Sequence, residues 1–146
     1  MEDFNEDTIS LLKECNAGVK MGVNSIAEVI DHVRDERFRA MLNRSKEEHQ
    51  KIGSEIHRLL NQCGESGKEP NPMAKSMSWL KTNIKMTMDE SDATVADVTT
   101  DGCNMGVKSL RRYLNQYQNA DGRSRRLTEE LIRVEQQMTT DMAAYL

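Results

Sequence analysis

An all-α protein, folded as a four-helix bundle, is predicted by three features of this sequence. Apolar residues recur at three- and four-residue steps, sheet-forming residues are scarce, and a segment of the first half returns in the second. Aromatic residues make up 4% of the chain against 37% hydrophobic and 30% charged, a balance that suits neither a sheet protein nor a disordered one. At 146 residues the chain is expected to form one domain over residues 1–146.

Leu12, Cys15, Val19, Gly22, Val23, Ile26, Ile30 and Val33 line one face of a first helix, over about 7–33. Asp35 is placed to cap a second, over about 35–63, whose inner stripe is Phe38, Leu42, Ser45, His49, Ile52, Ile56, Leu59 and Cys63. Gly64 and the polar run to Pro72 end it. Met73, Met77, Leu80, Ile84 and Met88, with Trp79 beside them, mark a short helix over about 73–88. The acidic cluster Asp89-Glu90-Ser91-Asp92 suits the N-terminus of a helix over about 91–119, with Ala96, Thr99, Cys103, Val107, Leu110, Leu114 and Tyr117 facing inward. Asn119 to Gly122 turns the chain into a last helix, over about 122–145, carrying Leu127, Leu131, Val134, Met138, Met142 and Tyr145.

Cys15-Asn16-Ala17-Gly18-Val19-Lys20 recurs as Cys103-Asn104-Met105-Gly106-Val107-Lys108, and one further residue of shift aligns His49 with Met138. Two pseudo-symmetric antiparallel hairpins follow, joined by a connection long enough to cross a bundle end to end and carrying the extra short helix. That architecture is the ferritin-like one. From about Thr8 to Tyr145 the chain resembles a bacterial family of ferritin-like four-helix-bundle proteins, the domain-of-unknown-function 2383 family. The carriers are Cys15-Asn16-Ala17-Gly18, the segment Ser78-Trp79-Leu80-Lys81-Thr82-Asn83-Ile84-Lys85, and the run from Asp101 to Leu110. The resemblance implies the fold and brings no established activity.

The net charge of −4 comes from interspersed signs, so neither nucleic acid nor an acidic membrane surface is expected as a partner. No apolar run approaches the roughly 18 residues of a membrane span, and the start Met1-Glu2-Asp3-Phe4 does not read as an export signal. With three isolated cysteines, Cys15, Cys63 and Cys103, a cytoplasmic protein with free thiols is expected.

A di-iron centre in a ferritin-like bundle takes a Glu from each of two helices and a Glu-x-x-His from each of the others. Helical phase turns Glu14 and Glu28 away from the seam, leaves Asp97 and Asp101 off it, and brings only Asp92 near it, at a helix start. Lys46 stands where His49 needs a Glu, and Met138 stands where Glu135 needs a His. The expected interior is therefore apolar, with acidic groups turned out and His49 a solitary imidazole bonded to a neighbour such as Ser45. Only His49 and Glu135 remain as metal candidates, and haem would need His49 and Met138 to face each other.

Cys15 and Cys103 read as small core residues and Cys63 as more exposed. His32 and His57 lie toward helix C-termini, where they complement the dipole. Gly18, Gly22, Gly102 and Gly106 each cost a helix about 1 kcal/mol, which close approach between the helices that carry the repeat would offset. Met73, Met77 and Trp79 form the expected adhesive surface, and Arg123-Ser124-Arg125-Arg126 reads as a solvated turn. No phosphate-cradling loop, nucleophile elbow or zinc-spaced cluster is present. The expectation is a non-catalytic structural or interaction module, self-associating as a homo-oligomer and without a cofactor. The alternative is a ferritin-like metal-binding oxidoreductase or iron-handling protein with a non-standard site.

Overall fold

Four polar side chains start four helices. Asn5, Asp35, Ser91 and Asp121 sit in extended conformation and accept a hydrogen bond from the backbone N–H three residues on, at Thr8, Phe38, Thr94 and Ser124. Each satisfies a donor that the first turn leaves without a partner. The computed structural model describes residues 4–65 and 91–146. Over these the chain forms α1 (Glu6–Val29), α2 (Glu36–Gln62), α3 (Asp92–Gln116) and α4 (Gly122–Met142), with single 3₁₀ turns at Ile30–His32 and Ala143–Tyr145 and no strand among the described residues. The described residues are all-helical. The helix expected over 73–88, with Met73, Met77 and Trp79, lies outside the described residues.

Three helix ends fall short of the sequence expectation. α1 stops at Val29, and a 3₁₀ turn leads to an extended Val33. α3 ends at Gln116 rather than near 119, and α4 gives way to a 3₁₀ turn at Ala143. Gly64 closes α2 as expected, at φ 74°, a conformation that suits a residue without a Cβ.

α1 packs chiefly on α2, α3 on α4, and α2 on α4. At one end, Asn5 Nδ2 donates to the Asn119 carbonyl at 2.8 Å and Asp121 N donates to Thr8 Oγ1 at 2.8 Å, tying the start of α1 to the α3–α4 turn. At the other, Arg34 N and Asp35 N donate to the two oxygens of Asp92 at 2.8 and 2.9 Å, and Phe38 stacks on Tyr145 with centroids 4.4 Å apart. So α1 and α4 run one way, and α2 and α3 the other. α2 ends at the Asn5 end, where Lys13 Nζ lies 2.9 Å from Glu65, whereas α3 begins at the opposite one.

The apolar interior falls into two clusters stacked along the helices. One gathers Leu11, Leu12, Val19, Ile52, Ile56, Leu110 and Leu131, and the other Ile26, Val29, Phe38, Leu42, Val95, Cys103, Met138 and Met142. On every helix the change of cluster falls near mid-length: around Gly22 on α1, at Ser45 and His49 on α2, at Gly106 on α3 and at Glu135 on α4. The middle layer is polar.

Candidate functional site

His49 is fully buried at this layer and Glu135 is 7% exposed. The Nδ1 atom of His49 lies 2.7 Å from the Ser45 carbonyl oxygen, one turn back on α2. Its Nε2 lies 2.8 Å from Glu135 Oε1, across on α4. A carbonyl oxygen carries no proton, so Nδ1 is the donor there, and with Nε2 facing a carboxylate the arrangement suits an imidazolium. Burial by itself pulls the His49 pKa down. The hydrogen bond and charge of Glu135, then the Ser45 carbonyl and Glu48, outweigh it and hold the pKa above the ordinary histidine value.

The glycines explain how so bulky a pair fits. A Cβ on Gly22 would stand 2.6 Å from His49 Cδ2 and 2.7 Å from Nε2, so the bare backbone of α1 makes the room that the imidazole fills. A Cβ on Gly106 would meet the Glu135 carboxyl carbon at 3.7 Å, an ordinary contact. Gly22 thus serves the α1–α2 contact and Gly106 the α3–α4 contact, rather than the expected approach of α1 to α3. At Gly102 a Cβ would meet nothing within 4 Å, so the expected helix contact is not made there. Gly18 is buried on α1. A close approach that sequence reading missed lies at Gly53, where a Cβ would stand 2.7 Å from Val19 Cγ1.

Beside the pair is a cavity of about 40 Å³, lined among the described residues by Met21, His49, Thr99, Cys103, Glu135 and Met138, with others around its rim. That is space for one to three waters. A haem plate, which needs several hundred Å³, does not fit. Cys103 Sγ donates to Met138 Sδ at 3.9 Å, and Glu135 shares the cavity wall with it. Burial, then the charge and hydrogen bond of Glu135, push the Cys103 thiol well above its ordinary pKa. The hydroxyl of Thr99, a residue 5% exposed, has no hydrogen-bond partner.

Cys15 matches Cys103 in the repeat but sits differently. Thr128 Oγ1 donates to the Ser124 carbonyl at 2.8 Å, which leaves it to accept from Cys15 Sγ at 3.0 Å. Burial pushes the Cys15 thiol up to about 12. Cys63 is half-buried and bonds the Leu60 carbonyl. His57, Glu28, Asp97 and Asp101 are exposed, and His32 is half-buried in the turn after α1.

The expectation that acidic groups turn away from the interior is corrected at Glu135. Two inner registers were open on α4, because both Leu131–Val134–Met138 and Leu131–Glu135–Met138 step by three and four. Apolar character favoured Val134. The structure half-buries Val134 and buries Glu135, since an imidazole across the layer supplies the partner that a buried carboxylate needs. A second acidic side chain, Glu14 on α1, hydrogen-bonds Tyr113 on α3. Among the described residues no three His, Cys, Asp or Glu side chains are grouped so as to hold a metal ion, although His49, Glu135 and Cys103 all line the cavity.

A helical protein with a buried imidazole–carboxylate layer is the class that this geometry defines. The chain belongs to the family described as Domain of unknown function (DUF2383), whose model matches residues 7–116. That stretch carries Gly22, His49, Thr99 and Cys103 and stops before Glu135. No curated protein and no solved structure matches the chain. No helix among the described residues is long and apolar enough to cross a membrane.

Proposed function

We propose that this protein is a ferritin-like four-helix bundle, cytoplasmic and self-associating, that acts as a non-catalytic structural or protein-interaction module. The observation that carries the reading is the His49–Glu135 pair. Both nitrogens of the imidazole are engaged, and its counter-charge is supplied by the protein. Helix directions agree with the architecture: α2 ends and α3 begins at opposite ends, as one long crossover requires. The absence of a side chain at Gly22 and Gly106, which face His49 and Glu135, leaves α1 and α3 without carboxylates where a di-iron centre would need them.

The second reading, an iron-handling protein, is favoured by one fact: the two metal candidates lie 2.8 Å apart. Anaerobic Fe(II) titration with metal analysis separates the two. The module takes up no stoichiometric iron, whereas two iron ions per chain, lost in both His49→Ala and Glu135→Ala, would overturn the reading. Self-association is tested by size-exclusion chromatography with light scattering. An oligomer that weakens on Trp79→Asp is expected, and a strict monomer unaffected by that change counts against an interaction role.

A further inference from the structure

We propose that the mid-length cavity is a binding site for one soft monovalent metal ion, Cu(I), held between the thiolate of Cys103 and the thioether of Met138. Two sulfurs that share one ion at bond lengths of about 2.3 Å, with trigonal or tetrahedral angles, stand about 3.8–4.0 Å apart. Cys103 Sγ and Met138 Sδ are 3.9 Å apart before any ion is considered. The adjacent space of about 40 Å³ accommodates one ion. Met21 on α1 also lines it and offers a further sulfur.

The surroundings support a site rather than a packing fault. Buried hydroxyls in folded proteins find partners, yet that of Thr99, on the wall of this cavity, has none. Met105 also borders the cavity and is 43% exposed, one of two large hydrophobic side chains left exposed among the described residues. Three thioethers, those of Met21, Met105 and Met138, thus border the cavity, that of Met105 at the surface and that of Met138 buried.

Donor chemistry selects the ion. Thiolate and thioether ligands favour Cu(I), whereas Fe(II) and Mn(II) prefer carboxylate and imidazole, here committed to each other. Binding moves no electrons: Cu(I) and the Cys103 thiol give the Cu(I) thiolate and one proton. Glu135, whose carboxylate lines the same cavity, is the first acceptor on that proton's way to solvent. Cys15 provides an internal control, because its sulfur bonds a hydroxyl, that of Thr128, where Cys103 meets a thioether.

The test uses the full reduced chain under anaerobic conditions, titrated with Cu(I) in competition with bicinchoninate. One Cu(I) per chain is expected, with a thiolate-to-copper absorption band in the ultraviolet. Cys103→Ser abolishes both, and Met138→Leu, which conserves volume and helix propensity, weakens binding at least about tenfold. Cys15→Ser and Cys63→Ser retain binding, and circular dichroism confirms the fold of each variant. Binding unchanged in Cys103→Ser or in folded Met138→Leu, binding lost in Cys63→Ser, or no Cu(I) taken from the competitor would each overturn the proposal. The iron titration bears on the proposed function alone, so the two can fail separately.

Discussion

Gly22 and Gly102 lie in α-helices and carry the same backbone cost, yet the structure gives them opposite roles. A methyl group on Gly22 would press on the ring of His49, which is pinned at both nitrogens and cannot swing aside. Overpacking of this kind costs about 1–3 kcal/mol, more than the roughly 1 kcal/mol that Ala gains over Gly in a helix. At Gly102 the same methyl group would meet open space. Gly22→Ala is therefore expected to destabilise the protein, and Gly102→Ala to stabilise it by about 0.5–1 kcal/mol, both read from urea unfolding. Equal gains at the two positions would show that His49 is not held where the structure puts it. Their place inside helices made Gly18, Gly22, Gly102 and Gly106 conspicuous, and the repeat matched Gly18 with Gly106. The sequence could not tell Gly22 from Gly102, because what distinguishes Gly22 is a side chain on another helix. Glu135 was ambiguous for the same reason: its burial depends on His49, far away in sequence.

At the scale of helices, local chemistry was largely legible and long-range chemistry was not. The apolar period located four helices, and Asp35 and Gly64 could be read as a start and a stop because caps act within a few residues. The end of α1 could not be read this way. Ile30 and Val33 continue its period, but the chain leaves the helix there and presents the N–H groups of Arg34 and Asp35 to Asp92 on α3. The α1–α3 contact holds a further test. Burial raises the pKa of Glu14, and the hydrogen bond from Tyr113 only partly opposes it. Burial and Glu14 together push the Tyr113 phenol up to about 12, so it stays a neutral donor near pH 7. One carboxylate oxygen of Glu14 remains buried without a partner. A raised carboxyl pKa means that ionisation opposes folding, increasingly so as the pH climbs from the unfolded value of about 4.3 through the folded one. Glu14→Gln keeps an acceptor for Tyr113 and removes the charge. Its melting temperature at pH 7 should exceed that of the parent by roughly 1–3 °C, a modest gain because the group is half in solvent. The gain should vanish near pH 4, and a loss at pH 7 would mean that the charge itself binds α1 to α3.

At the scale of the whole molecule, the described residues form two apolar clusters joined through a charged layer, so stability depends on the protonation of that layer. The His49 pKa is raised by Glu135, Ser45 and Glu48 against the pull of burial, which makes the folded state the better proton binder. The stability that this confers is fully present below the unfolded histidine value of about 6.5, and it is lost as the pH rises through the elevated folded value. Thermal unfolding should accordingly give a melting temperature that falls as the pH is raised above about 6.5, a slope that Glu14→Gln should leave in place. Two variants assign the slope. Glu135→Leu leaves the imidazole buried without its partner and should cost about 3–5 kcal/mol, whereas the double change His49→Leu with Glu135→Leu removes both charges and should cost markedly less. Because the double variant has lost the imidazole–carboxylate pair, its melting temperature should be nearly flat between about pH 6.5 and the range near 8.5 where unfolded thiols begin to ionise. A double variant that keeps the parent's slope would move the origin of the pH dependence out of the layer and leave His49 and Glu135 a filler of space.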